Sequence, residues 1–464
     1  MNVSNADYEG FFSKREWLRH AYQYAKATRI SPWGFAGALL ARVCALTPPN
    51  VVAQVTPYDL PMSLNALFAL VGPTGSGKGK CMAHSRHLIP APLLSPLVEV
   101  KPKTGESIPA KYVTKIVATD HDGKPIKGEY VDKLVSDRCL VFMPEIVSLR
   151  AAMSKQGSTL LPALLEGFSN EPLGDDTKGK QYQIKLPPYS YRLSAVVGVQ
   201  PSNADTLFAE TNTGLAGRFI YLPSTDTDMP ALDDKPGIPL QPFPFDPDQL
   251  PESNSFEQIE ALLKFGSREA MPQHGATGYP LTTLAMPEQA YQYADDLQRK
   301  AGEGHMNPLD THRVELVAKL AALFRLMEQS DADTLTVTEE DWALALCLME
   351  RSDSTRSQCM EQQRDSVVEA RAEYAAAKMD AQDMAEVRRL ETVKRRVMKI
   401  LDDNDPGCEG MKGRIIRQKC GKYGKQANAA IEALFDAGKI ERVTSGDTIG
   451  TSVWSITPGT VIDT

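Results

Sequence analysis

Apolar residues in the first half of the chain occur in short runs, each ended by a glycine, a proline or a polar residue. One run, Leu64–Val71, stops at Gly72. The others are Leu140–Met143, Tyr191–Val199 and Phe219–Leu222. Such runs are typical of strands that are buried on both faces of a sheet. Because helical stretches such as Leu160–Phe168 lie between them, the pattern predicts an α/β fold with a mostly parallel sheet between layers of helices.

The C-terminal segment has an order of elements of its own. Helical patterns cover Val393–Asp402, Lys412–Cys420 and Lys425–Gly438. Two strand-like stretches, Ile440–Thr444 and Ser452–Thr457, follow them. Three helices followed by a β-hairpin predict a winged-helix domain.

The composition is that of a globular protein with more than one domain. With 464 residues, 42% of them hydrophobic and 24% charged, the chain favours two or three domains. Its net charge of −8 means that any nucleic-acid surface must be local. Seven scattered cysteines indicate reduced thiols, and neither they nor the seven histidines form a metal-ligand set. Without a secretory signal or a stretch that could span a bilayer, we expect a cytoplasmic protein with no membrane contact.

The residues that follow the first apolar run match the phosphate-binding pattern G-x-x-x-x-G-K. Glycines in such a loop adopt backbone angles that turn successive N–H groups toward phosphate oxygens. The next helix N-terminus adds further donors, and Lys78 supplies a positive charge for the β- and γ-phosphates. The expected ATP-binding residues are Gly72, Pro73, Thr74, Gly75, Ser76, Gly77, Lys78, Gly79 and Lys80. The alternative is a glycine-rich turn with a chance lysine, which the flanking strand and helix disfavour.

Two departures from the usual pattern concern Mg²⁺. Gly79 stands where a P-loop normally has a serine or threonine whose hydroxyl binds the metal, so one ligand is lost unless water replaces it. The run Leu140–Met143 is followed by Pro144, in the usual position of an aspartate, and by Glu145. We interpret Glu145 as the base that activates water. The alternative is an ordinary exposed glutamate at a strand end.

Two further polar residues complete an ATPase set. Gln200 follows the third apolar run, where an amide can orient water or sense the γ-phosphate, and Asn203 is a second choice. Arg218 precedes the fourth run and can reach the phosphates of a neighbouring subunit. Its alternative role is that of a structural surface arginine. Arg313 is a weaker sensor candidate and fits a solvated or salt-bridged residue better.

The order of these motifs resembles that of the helicase-like P-loop ATPases of phages, prophages and plasmids, which are often fused to, or encoded beside, primase-polymerases. The motifs are the P-loop, Thr104-Gly-Glu106, Leu-Val-Phe-Met-Pro-Glu145, Val-Gly-Val-Gln200-Pro and Gly-Leu-Ala-Gly-Arg218-Phe. The resemblance implies a RecA-like core, ATP and Mg²⁺ as cofactors, and a function in phage or plasmid DNA replication. It also implies the roles of four residues: Lys78 as phosphate binder, Glu145 as catalytic base, Gln200 as sensor and Arg218 as arginine finger.

Basic residues cluster in the predicted winged helix, within Met411–Asn428, a window without acidic residues. They fall on its second helix, the following turn and the start of its third helix, where helix-turn-helix proteins contact phosphates. The expected DNA-binding residues are Lys412, Arg414, Arg417, Lys419, Lys422 and Lys425. Tyr423 and Gln426 are placed to touch bases, with 445–450 as the tip of the wing. The alternative is a winged helix that contacts proteins.

These patterns predict five regions along the chain. They are a helical N-terminal region (1–50), a P-loop ATPase core (51–250), a helical domain (251–350), a long helical arm (351–392) and a winged helix (393–464). The leading function is an ATP-hydrolysing DNA helicase or translocase, a homo-oligomer such as a hexameric ring, with a primase or polymerase partner. The rival is a nucleotide-gated replication initiator or helicase loader with little turnover, which the missing metal ligands favour. A defence or packaging ATPase fits less well, because no nuclease motif is visible.

Overall fold

The computed structural model describes residues 7–56, 58–93, 95, 97–153, 158–174, 184–208, 214–265, 279–330, 333 and 335–461. The chain divides into two compact units, Met1–Asp365 and Ser366–Thr464. The described α-helices are α1 (Glu16–Thr28), α2 (Pro32–Leu46), α3 (Lys78–Leu88), α4 (Ile146–Met153), α5 (Leu160–Ser169), α6 (Asp205–Phe208), α7 (Phe256–Phe265), α8 (Glu288–Gly302), α9 (Arg313–Met327), α10 (Glu339–Asn404), α11 (Gly413–Lys419) and α12 (Ala427–Asp436). The described strands are β1 (Val51–Gln54), β2 (Met62–Ser63), β3 (Ala66–Val71), β4 (Leu97–Val100), β5 (Val113–Thr119), β6 (Pro125–Leu134), β7 (Arg138–Met143), β8 (Arg192–Val199), β9 (Phe219–Pro223), β10 (Thr282–Ala285), β11 (Met411–Lys412), β12 (Ile440–Thr444) and β13 (Val453–Ile456).

The first unit is built on a five-stranded sheet in the order β4-β7-β8-β3-β9, with every neighbouring pair parallel. Strands β3 and β8 are buried along their whole length, which explains why β3 is wholly apolar and β8 mostly apolar, with Arg192 and Ser194 as its buried polar residues. The molecule is therefore a mixed α/β protein, and the mostly parallel sheet predicted from the apolar runs is confirmed. Strand β4 at the edge of the sheet was not predicted.

Helix α2 packs on this sheet and is buried at every residue. Ser31 begins the helix, since its Oγ accepts a hydrogen bond from Gly34 N (3.3 Å) and Pro32 occupies the first turn without loss of a bond. Gly37 allows a close approach to the sheet, because a Cβ there would lie 2.3 Å from Leu222 Cδ1. An almost wholly apolar helix of this kind belongs in the interior of a domain.

A buried guanidinium, that of Arg192, joins the first residue of β8 to the segment between α2 and β3. It donates hydrogen bonds to five oxygens: Thr47 O (3.2 Å), Pro48 O (2.8 Å), Val51 O (2.5 Å), Ser63 Oγ (2.7 Å) and Asn65 Oδ1 (3.2 Å). Burial lowers the pKa of Arg192 to about 10. The five acceptors offset the cost of removing this cation from water and tie the sheet to its surroundings.

Two smaller sheets complete the first unit. One has the order β10-β1-β2, with β10 parallel to β1 and β2 antiparallel to it. The region 251–350, predicted to be helical, thus also contributes a strand, β10. The other is the hairpin β5–β6, which was not predicted and in which Lys115 and Asp132 form an ion pair across the strands (2.6 Å).

The second unit contains α10 from Ser366 onward, the helices α11 and α12, and the antiparallel sheet β11-β13-β12. The order of helices and strands predicted for the C-terminal segment is confirmed, with the short strand β11 in addition. The core of this unit includes Val397, Leu401, Ile416, Ile431 and Trp454. Helix α10 runs for 66 residues and includes the whole predicted arm.

An ion pair in α9 between a half-buried glutamate, Glu315, and a buried lysine, Lys319, predicts how the first unit responds to acid. Burial alone would raise the pKa of Glu315, but the Lys319 ammonium (2.7 Å) and His312 lower it to about 2. Because this pKa is depressed in the folded state, the stabilisation is present above the unfolded pKa of about 4.3 and is lost as the pH falls toward 2. We expect Glu315→Gln to remove roughly 3 kcal/mol of this acid dependence.

The measurement is urea unfolding at pH 7, 5 and 3, followed by tryptophan fluorescence. Glu288→Gln, at an exposed position on α8, is the control. If the unfolding free energies of wild type and Glu315→Gln fall in parallel below pH 5, Glu315 is not the linked group.

Candidate nucleotide-binding site

The loop Gly72–Gly77 connects the carboxyl end of β3 to the N-terminus of α3. Gly75 and Gly77 have φ values of 79° and 87°, in the left-handed region that favours glycine. Gly72 N donates to Val199 O (2.9 Å), which holds the start of the loop against the end of β8. The first hydrogen bond of α3 runs from Cys81 N to Gly77 O (2.9 Å), so the N–H groups of residues 78–80 precede it. This strand–loop–helix arrangement is the one predicted from the sequence, and it presents backbone donors to an anion.

The ammonium of Lys78 lies inside this loop. Its Nζ donates to Gly72 O and Pro73 O, both at 2.7 Å, and contacts Ser76 Oγ at 3.3 Å. The side chain is only 8% exposed. Burial lowers the pKa of Lys78, and the negative charge of Glu145 opposes that change. Lys78 is thus positioned by the loop itself, at the place where a phosphate would meet both.

Ser224 supports the loop from the neighbouring strand and was missed in the sequence. Its Oγ contacts Ser76 Oγ (2.7 Å) and donates to Val71 O (3.0 Å). A Cβ on Gly72 would lie 2.4 Å from Ser224 Oγ, so glycine is required there by close packing. The available signal was positional: Ser224 follows β9, a strand adjacent to β3.

Pro144, Gly198 and Lys78 lie next to one another. A Cβ on Gly198 would be 2.0 Å from Pro144 O and 3.3 Å from Lys78 Cδ. Glu145 follows Pro144 directly, is exposed, and precedes the first residue of α4. The structure therefore brings Lys78 and the Pro144–Glu145 turn to the same edge of the sheet, across the backbone of β8.

Gln200 lies at the same edge, immediately after β8. Val199 and Val71 are paired in the sheet, so Gln200 and Gly72 follow paired residues of adjacent strands. The side chain of Gln200 is half-buried and accepts a hydrogen bond from Asn203 Nδ2 (3.3 Å). The two polar candidates after β8 are thus joined to each other, with Gln200 nearer the strand.

Arg218 lies at the opposite end of the strands from the P-loop, where β9 begins. It precedes Phe219, which pairs with Leu67 near the start of β3, whereas the P-loop follows the end of β3. Its Nη1 donates to Gly214 O (3.0 Å), and its guanidinium lies 5.8 Å from the ring centroid of Phe168. At about 3.3 Å per residue, β9 separates Arg218 from the level of the P-loop by roughly 15 Å. Within one chain the structure does not bring Arg218 to Lys78.

Arg313, the weaker sensor candidate, is held in a structural ion pair. It contacts Asp353 of α10 and donates to Tyr293 Oη (2.7 Å). These partners raise the pKa of Arg313 despite the opposing effect of burial. The interpretation as a salt-bridged residue is confirmed.

The residues at the metal position do not fit a protein-bound Mg²⁺. Gly79 and Pro144 occupy the two places where a ligating side chain is expected, and neither has a side-chain oxygen. Glu145 is the acidic candidate at this edge. Across the residues that the structure describes, no group of three or more His, Cys, Asp or Glu side chains could hold a metal ion.

The predicted DNA-binding residues of the second unit are all exposed: Lys412, Arg414, Arg417, Lys419, Lys422 and Lys425. Arg414, Arg417 and Lys425 line a shallow groove of ≈ 830 Å³ between α11 and the start of α12. Lys419 Nζ donates to Asn404 Oδ1 (2.7 Å), and Lys422 lies 5.1 Å from the Tyr423 ring centroid. The positive charge is therefore concentrated on α11, the turn and the first residues of α12.

Comparison with known proteins adds no assignment, since the sequence matches no protein-family model and no curated protein sequence. No helix in the described ranges combines the length and apolarity needed to cross a bilayer.

Proposed function

We propose that the protein binds and hydrolyses ATP through a RecA-like P-loop core and acts on DNA as a helicase- or translocase-like motor of phage or plasmid replication. The observation that carries this proposal is the loop Gly72–Lys78, set between a buried parallel strand and a helix N-terminus. Glu145 and Gln200 at the same sheet edge supply the further polar groups that hydrolysis needs. The general chemistry of phosphate binding at a loop and helix N-terminus supports this function.

The order of the strands favours a ligand at this place. The chain passes from β3 to β4, which is an outer strand of the sheet, and returns through β7 to β8. It then crosses β3 to reach β9, the outer strand on the other side. The connections that leave β3 and β8 therefore run in opposite directions. In open parallel sheets, ligands bind at the carboxyl ends of strands where the order reverses in this way. The P-loop occupies that position.

Each residue at the edge has a distinct part in the proposed reaction. Lys78 and the N–H groups of the loop would hold the β- and γ-phosphates and stabilise the charge that develops during transfer. Glu145 would accept a proton from the attacking water, and its exposed position leaves room for that water. Gln200 would orient the same water or sense the γ-phosphate.

An arginine finger requires a second copy of the chain. Because Arg218 and the P-loop lie at opposite ends of the strands, Arg218 would complete the site of a neighbouring subunit and not its own. We therefore propose a homo-oligomer, such as a hexameric ring, with ATP between subunits. Light scattering with and without ATP tests this assembly.

The second unit has the elements of a winged helix, and we propose that it binds DNA. Its exposed basic residues lie at one groove, where Arg414, Arg417 and Lys425 would contact phosphates. The exposed side chains of α12 beyond its first turn include Glu432 and Asp436, and the wing segment contains Asp447. The charge pattern therefore favours contacts to the phosphate backbone and so binding without strong sequence preference.

The groove gives a direct prediction. We expect the double variant Arg417→Ala, Lys425→Ala to weaken DNA binding about tenfold near 0.1 M salt and to reduce the slope of log K against log salt by about 2. Fluorescence anisotropy with a labelled DNA, measured over a range of salt concentrations, checks both numbers. The matched control removes two charges from the first unit, Lys124→Ala with Lys235→Ala, both exposed. Equal losses of DNA affinity in the two double variants would mean that net charge, and not the groove, causes the effect.

One rival is supported by a specific observation. The lack of side-chain oxygens at Gly79 and Pro144 favours a replication initiator or helicase loader that binds ATP and turns it over slowly. The deciding experiment measures DNA-stimulated ATP hydrolysis and strand unwinding on the same preparation. Both activities together indicate the motor, and slow hydrolysis without unwinding indicates the loader. A protein with no affinity for ATP would rule out both.

A further inference from the structure

We propose that the phosphate site takes ATP without a protein-held divalent cation, and that Lys80 supplies the positive charge which the metal gives in other P-loops. The inference rests on the proposed function and adds a property of the same site. Its starting point is the poor fit of Mg²⁺: Gly79 and Pro144 offer no ligand at either of the two usual positions. A triphosphate still carries several negative charges, which must be balanced within the site.

Lys80 is placed to provide that balance. It lies in the first turn of α3, two residues after Lys78, and its side chain is exposed. The N–H groups of residues 78–80 precede the first hydrogen bond of the helix, so an anion bound by them would lie close to Lys80. The first turn of α3 contains no acidic residue. The helix dipole, the loop amides and the two lysines would thus all attract a bound phosphate.

The side chain that follows Lys80 by one turn of α3 is already bound within the unit. His84, one turn further along α3, bonds to Tyr24 Oη (3.0 Å). Burial lowers the pKa of this histidine, and His87 and Lys80 lower it further. Within the described part of the chain, no ion pair holds Lys80. The ammonium of Lys80 is therefore available to an incoming phosphate, in addition to that of Lys78, which the loop holds in place.

Substitution of Gly79 offers a way to restore the metal ligand that this site lacks. A Cβ at this position would meet no side chain or distant backbone atom within 4 Å, so the position has room for a side chain to begin. Gly79→Thr restores the hydroxyl that ligates Mg²⁺ in ordinary P-loops. If Lys80 and the metal fulfil the same electrostatic function, this variant should make binding respond to Mg²⁺, and it should compensate for the loss of Lys80.

The test is the binding of a fluorescent ATP analogue to the full chain, in Mg²⁺ and in EDTA. We expect the wild-type Kd to differ by less than about threefold between the two conditions, and Lys80→Ser to weaken binding about tenfold in EDTA. The double variant Gly79→Thr, Lys80→Ser should regain affinity in Mg²⁺ only. Lys124→Ser, which removes an exposed lysine at the hairpin turn, is the charge control.

Two results would overturn the inference. One is a wild-type affinity that falls tenfold or more in EDTA, and the other is a Lys80→Ser affinity equal to that of Lys124→Ser. Either leaves the proposed function intact, because binding in Mg²⁺ would persist. Failure of the wild type to bind in both conditions would instead remove the proposed function itself, and the inference with it.

Discussion

Lys78→Met is expected to lower ATP turnover by at least about a hundredfold and to weaken ATP binding about tenfold or more. The ammonium lies where the P-loop would surround the phosphates, and its three contacts are all within that loop. Methionine keeps the aliphatic stem, which packs on Gly198, and removes the charge. The loss should therefore come from electrostatics and not from a cavity.

The measurements are phosphate release at saturating ATP and equilibrium binding of a labelled analogue. Lys235→Met, at an exposed position of the same unit, is the matched control and should behave as wild type. Circular dichroism of both variants checks that the unit is folded. Turnover within a few-fold of wild type in Lys78→Met would mean that the loop Gly72–Lys78 is not the catalytic phosphate site.

Glu145→Gln should separate binding from hydrolysis. Positioned general bases contribute about 10²–10⁴ to a rate, so turnover should fall by that order while ATP affinity changes little. Glutamine keeps the size of the side chain, and the exposed position of Glu145 argues against an effect on folding. The same substitution removes the negative charge that acts on Lys78, so it should not weaken the attraction between the lysine and phosphate.

Single-turnover hydrolysis and analogue binding, measured side by side, check this expectation. The control is Glu129→Gln, an exposed glutamate of β6 in the same unit. Comparable losses in the two variants would point to general electrostatics, and an unchanged rate in Glu145→Gln would transfer the role of base to another residue.

The central strands could be predicted from the sequence because each contains a mostly apolar run with a clear end. Strands β3, β7, β8 and β9 all satisfy that condition. The hairpin β5–β6 was not predicted because most of its residues are not buried, and its charged and apolar residues therefore do not alternate in a simple pattern. The four-residue strand β10 lies next to a long helix, and its pairing with β1, far away in sequence, makes it a strand.

The candidate site was predictable where it depended on strand direction. Parallel strands end at one edge, so Gly72, Glu145 and Gln200 had to lie together once the sheet was parallel. By the same rule Arg218, which precedes a strand, belongs to the other edge. Contacts set by packing between distant segments, such as Gly198 against Pro144 or Ser224 against Ser76, left no mark in the local sequence.

The bonds of Arg192 have a consequence for synthesis of the chain. The oxygens that it binds lie 127–145 residues earlier in the sequence, so they leave the ribosome long before the guanidinium does. During that interval the apolar surface of α2 has no strand β8 to cover it, and the nascent polypeptide is at its most prone to aggregate. A chain that ends between Thr47 and Arg192 lacks all five of these hydrogen bonds, so we expect such a fragment not to fold.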